Sequence, residues 1–138
     1  MKKIALILVV IMAGLSACKQ EQAPVCDVKA EKEAIKMMLQ KYIIANEAHN
    51  LSLISELWAN DSAVLSLGTD EHDVFKGFNA VEQKFAQQFE RFEDTFISSR
   101  DIEIYVHPQC QTAWFSEFLQ YNYTNGDKAI EYSNLRFT

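Results

Sequence analysis

From Asp27 to Ala48 the apolar positions recur at helical spacing: Ile35, Met38, Leu39, Tyr42 and Ala45, with Asn46 on the same stripe. That spacing predicts one long amphipathic helix. Asp27 is its candidate N-cap, and Glu31 and Glu33 lie near its positive end. Asn50 is placed to cap a second, short helix with Leu51, Ile54, Leu57 and Trp58 on one stripe, ended by Asn60-Asp61. Ser62 to Leu67 reads as a strand, Gly68 to Asp73 as a polar turn, and Val74-Phe75-Lys76 as a short strand stopped by Gly77. A third helix follows, with Val81, Phe85, Phe89 and Phe92 on its buried face.

Past that helix the period drops to two. Thr95 to Val106 reads as a strand in which Ile102, Ile104 and Val106 alternate with Glu103 and Tyr105. His107-Pro108-Gln109 is a turn, Thr112 to Tyr123 a long aromatic strand, Thr124-Asn125-Gly126-Asp127 a hairpin signal, and Lys128 to Thr138 a last strand. Helices first and an antiparallel meander afterwards make an α+β architecture.

The N-terminal segment has a different character. Lys2 and Lys3 precede an apolar run of 12 residues from Ile4 to Leu15, too short to cross a bilayer. Small residues follow, the layout of a cleaved signal peptide over residues 1–17. Leu15-Ser16-Ala17-Cys18 resembles a bacterial lipobox, which implies acylation of Cys18 and a bilayer as partner. Residue 19 is Lys rather than Asp, which by the same resemblance directs the chain to the outer membrane, facing the periplasm. Residues 18–26 then form the lipidated Cys and a tether, and residues 27–138 the folded domain.

Charge adds to this picture. The chain carries 13 Lys+Arg against 19 Asp+Glu, a net charge of −6 that becomes −8 once Lys2 and Lys3 leave with the leader. An acidic body is repelled by anionic lipid, so the acyl chains must supply the attachment. The same balance argues against a nucleic-acid partner. At 49% hydrophobic residues the chain is too apolar for intrinsic disorder.

Cys26 and Cys110 remain after Cys18 is used, in a compartment that permits disulfides. They form either a bridge or two free buried thiols. His49 reads as a surface or capping residue, and His72 sits in a solvated turn, Thr69-Asp70-Glu71-His72-Asp73. The three His are scattered, so neither a metal site nor a cofactor is expected.

The order helix, helix, strand, strand, helix, three long strands resembles the nuclear-transport-factor-2-like superfamily, and its SnoaL-like branch most of all. Four segments carry the resemblance. The first is the polar link into helix 2, His49-Asn50-Leu51-Ser52 through Trp58. The second is Ala59-Asn60-Asp61-Ser62-Ala63-Val64, similar to the family's Ala-Asp-Asp-Ala-Val stretch. The third is Phe75-Lys76-Gly77-Phe78-Asn79-Ala80-Val81, similar to its Gly-x-x-Ala-Ile/Val turn. The fourth is Ala113-Trp114 with Arg136-Phe137-Thr138, similar to its Ala-Trp and Arg-x-Thr strands. The resemblance implies a strongly bent antiparallel sheet wrapped as a cone around the first of three helices. Family members usually continue into a Gly-x-Trp turn and a further strand, so the resemblance also implies that a last strand is missing here.

It implies a pocket as well, lined by Tyr42, Trp58, Ser66, Glu117, Tyr121 and Arg136. Ketosteroid-isomerase-like members use a carboxylate base and two oxyanion donors, a Tyr and a protonated Asp. Tyr42 matches the Tyr, but Ser66 stands at the base position and Thr138 near the second donor. Asp61 reads as a cap or turn residue. Glu117 lies mid-strand on the parity of Tyr121 and Tyr123. If that parity faces inward, Glu117 is a buried acid with a raised pKa or a partner of Arg136; otherwise it faces solvent or a dimer partner. The leading expectation is an envelope lipoprotein whose domain binds a small, largely apolar molecule or serves as an accessory or dimerisation module. The alternative is an isomerase or cyclase acting on a hydrophobic carbonyl compound, with Glu117 as acid/base. A homodimer is the expected assembly.

Overall fold

The computed structural model describes residues 26–70 and 72–138. The leader, Cys18 and the tether to Val25 lie outside the described residues, as does Glu71. Helix α1 (Val28–Glu47) opens on Asp27, whose Oδ1 accepts from the amides of Lys29 and Ala30 at 3.1 Å each. Helix α2 (Leu51–Leu57) opens on Asn50, whose Oδ1 accepts from the Leu53 amide. Both caps satisfy amides that a helix leaves without partners. The strands β1 (Leu65–Leu67) and β2 (Val74–Lys76) pair antiparallel. The expected strand from Ser62 is shorter than its pattern, because the Asp61 side chain takes the Ala63 amide into a turn.

Gly77, at φ +82°, turns the chain from β2 into helix α3 (Phe78–Arg91). Phe92 was expected on that helix; instead it begins β3 (Phe92–Val106), pairs with Asn125 and stacks on Tyr123 at 3.7 Å. Strands β4 (Ala113–Asn125) and β5 (Lys128–Phe137) complete a three-stranded antiparallel sheet ordered β3-β4-β5, joined by a two-residue loop with Gly126 at φ +61°. Among the described residues the fold is α+β: three helices and antiparallel sheet, with no closed barrel.

Three β-bulges bend the sheet. Asp94-Thr95 oppose Tyr123, Asp101-Ile102 oppose Glu117, and Ser133-Asn134 oppose Gln120. Asp94, Asp101 and Asn134 each hold positive φ, between 51° and 64°, which Asp and Asn tolerate better than other side chains. A bulge increases local twist, so the three together curl the sheet toward α1. On its outer side the Arg100 guanidinium joins two of them, bonding Asp101 and Asn134 over the Phe118 ring.

Ala45, Ile54, Val81 and Phe85 form a fully buried cluster between the three helices. Leu39, Ile97, Val106 and Leu119 are buried on α1 and the inner sheet face. The end of α1 is tied to β3 through Glu47, which accepts from the Ile97 amide at 2.8 Å, and through His49. His49 is half-buried, stacked on Phe89 and within 3.3 Å of the Thr95 hydroxyl, so it is a joint residue rather than a surface cap. Cys26 and Cys110 are joined as a disulfide, Cα to Cα 5.6 Å, linking the start of α1 to the β3–β4 loop. No helix among the described residues is long and apolar enough to cross a membrane.

Candidate functional site

Between the curled sheet and the helices lies a cavity of about 690 Å³. That volume falls within the ordinary range for small-molecule sites. Tyr42 of α1 and Trp58 after α2 wall one side, Ser66 and Phe75 of the short hairpin another. The sheet supplies Ile97, Leu119, Leu135 and the rings of Tyr121, Tyr123, Tyr132 and Phe137. These residues share one face because each bulge resets the parity of its strand, so that odd positions of β4 meet even positions of β5 before the bulge and odd ones after it.

Five of the six residues expected at the pocket line it: Tyr42, Trp58, Ser66, Tyr121 and Arg136, with Arg136 exposed at the rim. Glu117 does not line it. Its side chain is 1% exposed and its backbone pairs with Phe137, whose ring stacks on Tyr42 at 4.8 Å and meets Phe115 edge-on at 5.1 Å. Phe137 and Tyr42 line the cavity, and Phe115 and Glu117 do not. The expected pairing with Arg136 does not form either. Counting back from the hairpin without interruption would set Glu117 opposite Arg136. The bulge at Ser133-Asn134 advances β5 by one residue, so Arg136 opposes Phe118 instead.

Neither oxygen of Glu117 meets a hydrogen-bond partner of ordinary geometry. Burial pushes its carboxyl above the usual Glu value, and the nearby Ser99 hydroxyl opposes the shift. Burial also pushes the Tyr42 phenol up to about 12; Asn46 works against this and the Glu117 charge adds to it. Tyr121 is raised by burial and then by Tyr42 and Tyr123, and Tyr123 by burial and then by Tyr132. The phenols facing the cavity therefore stay protonated at neutral pH and serve as donors. Gln88 orients one of them: its Nε2 donates to the Tyr121 hydroxyl at 2.7 Å and to Asn46 Oδ1 at 3.3 Å. Asn46, 1% exposed, in turn donates to the Tyr42 carbonyl at 2.9 Å.

Lys84 is the site residue that sequence reading missed. It lies in the cavity wall with Nζ 5.2 Å from the Phe75 ring centroid and 5.3 Å from that of Phe85. Burial lowers its ammonium below the usual Lys value, and Asp73 partly opposes this. Its signal was present: Lys84, Gln88 and Arg91 recur at i, i+4 and i+7, a polar row beside the apolar row of Val81, Phe85 and Phe89. No group of His, Cys, Asp and Glu among the described residues is arranged to hold a metal ion.

Residues 35–138 match the family model of the SnoaL-like domain. The chain belongs to the SnoaL-like domain family. A solved structure from Streptomyces avermitilis, described as a candidate dehydratase of the NTF2-like family, superposes with a TM-score of 0.65. It shares 16% sequence identity, over 75% of this chain and 78% of that one, a likeness of fold. No curated protein matches the chain. A SnoaL-like domain is thus a scaffold with a bent-sheet cavity, and its chemistry must be read from the side chains that line it.

Proposed function

We propose that this SnoaL-like domain binds a small molecule with a largely apolar body, and that the chain does so as a lipoprotein of the bacterial envelope. The observation that carries the reading is the cavity wall. Aromatic rings from α1, the β1–β2 hairpin and all three long strands converge on one space, with a few oriented polar groups among them. That is the composition of a binding pocket: apolar surface for affinity and sparse donors for orientation. The lipobox-like Leu15-Ser16-Ala17-Cys18 supports an acyl anchor, and Lys19 supports the outer membrane. Phe96, Tyr105 and Trp114, about half exposed on the outer sheet face, support a homodimer through that face. The catalytic alternative, an isomerase or cyclase acting on a hydrophobic carbonyl compound, is the weaker reading. Its acid/base, Glu117, is buried and does not line the cavity.

The test is recovery of a bound molecule. The full chain is extracted from membranes, gel-filtered and analysed by mass spectrometry for retained small molecules. A Ser66→Phe chain, with a ring in place of the buried hydroxyl facing the cavity, serves as control, its folding followed by circular dichroism. A discrete molecule held by the native chain and absent from the folded variant is the expected result. Equal recovery from both places the molecule elsewhere and overturns the reading. Labelled palmitate incorporated into the native chain and not into Cys18→Ser tests the anchor.

A further inference from the structure

Lys84 is out of place in a pocket built only for an apolar molecule. Its Nζ is held against the Phe75 and Phe85 rings, and no carboxylate among the described residues lies within ion-pair distance of it. Asp73, on the same wall, is near enough to act electrostatically but is not bonded to it. A desolvated ammonium without a bonded anion is costly, and a folded protein ordinarily avoids leaving one that way. The rest of the lining follows the same sign. The whole chain has 19 Asp+Glu against 13 Lys+Arg. Among the described lining residues that balance inverts: Lys84, Arg91 and Arg136 against Asp73. Arg91 and Arg136 are exposed at the rim, while Lys84 is half-buried. Lys84 and Arg91 lie on α3, and the rings of Tyr121, Tyr123 and Tyr132 line the same cavity from the sheet.

We infer that the cavity takes an organic anion, a flat apolar body with one carboxylate-like group, whose charge is met by Lys84 while its body lies on the tyrosine wall of the sheet. The inference rests on the binding function proposed above and names its ligand class. An anion beside Nζ restores the ion pair that burial denies the ammonium, and in a site shielded from water such a pair is stronger than at a surface. Arg91 and Arg136 at the rim attract the anion during approach. The Tyr121 and Tyr123 phenols, kept protonated by burial, have hydroxyls to donate to its second oxygen.

The test uses two probes with one ring system, 2-naphthoate and its neutral amide 2-naphthamide. Equilibrium dialysis against the full chain in nanodiscs, with empty nanodiscs as blank, gives both affinities at pH 7. The native chain should hold 2-naphthoate at least 10-fold more tightly than 2-naphthamide. Lys84→Met should abolish that preference without weakening the amide, and Lys84→Arg should keep most of it. Thermal melts of both variants establish that they are folded. Equal affinity for the two probes, or a preference that survives Lys84→Met, overturns the inference but leaves the proposed binding function standing. Binding of neither probe overturns both.

Discussion

Glu117 and Phe137 face each other across β4 and β5, and the phenyl ring, stacked on Tyr42, lines the cavity while the buried carboxyl does not. A carboxyl so placed costs stability when it ionises. Burial raises its folded-state pKa above the ordinary 4.5, so the folded chain holds a proton that the unfolded chain has already released. The native state then binds more protons than the unfolded one, and stability falls as pH rises from about 4.5 through the folded-state value. Glu117→Gln removes the ionisation. It should raise the unfolding free energy at pH 7 by about 1 kcal/mol or more and change it little at pH 4. Urea midpoints of both chains at the two pH values check this. A variant no more stable at pH 7 would show that the native carboxylate is adequately solvated.

The Cys26–Cys110 bridge closes a span of 84 residues, and loop-closure entropy of that size corresponds to about 4–5 kcal/mol. Reduction, or Cys110→Ser, should lower the unfolding free energy by roughly that amount. The far ultraviolet spectrum at low urea should stay native if the three-helix cluster holds α1 in place. Denaturant melts with and without reductant measure the loss. Coincident melts would mean that the reduced chain retains the same restraint by other contacts.

Gln88 stands between the core and the site, donating to both Asn46 Oδ1 and the Tyr121 hydroxyl. Gln88→Leu leaves a buried acceptor unpaired and should cost about 1–3 kcal/mol. Because the Tyr121 bond is 2.7 Å long, Gln88→Leu and Tyr121→Phe should not be additive, with a coupling of at least about 0.5 kcal/mol. A double-mutant cycle by urea unfolding measures it. Strict additivity would show that the two groups do not act together.

Much of the chain was legible as written. The stripe from Ile35 to Asn46 became the inner face of α1, Asp27 and Asn50 became its cap and that of α2, and the Asn125-Gly126 signal became a two-residue hairpin loop. Phe92 is ambiguous in sequence because it continues the helical spacing of Val81, Phe85 and Phe89 while also starting a β-rich run. Pairing with Asn125 and stacking on Tyr123 decided between them. A cation on an amphipathic helix ordinarily faces water, so local spacing does not assign Lys84 to a site. The cavity between the sheet and the helices gives Lys84 an inward direction.

By itself the sequence determined the kinds of element, their order, the residues that cap them and the family to which the domain belongs. Each of these is written in local spacing, which a helix or strand expresses without reference to the rest of the molecule. Tertiary structure alone decided what Glu117 faces. Three bulges, each marked only by an Asp or Asn inside a strand, change which residues lie opposite one another, and a single extra residue moves every later side chain of that strand to the other face. The bulge at Asn134 replaces Arg136 with Phe137 opposite Glu117. It converts an expected ion pair into a buried acid.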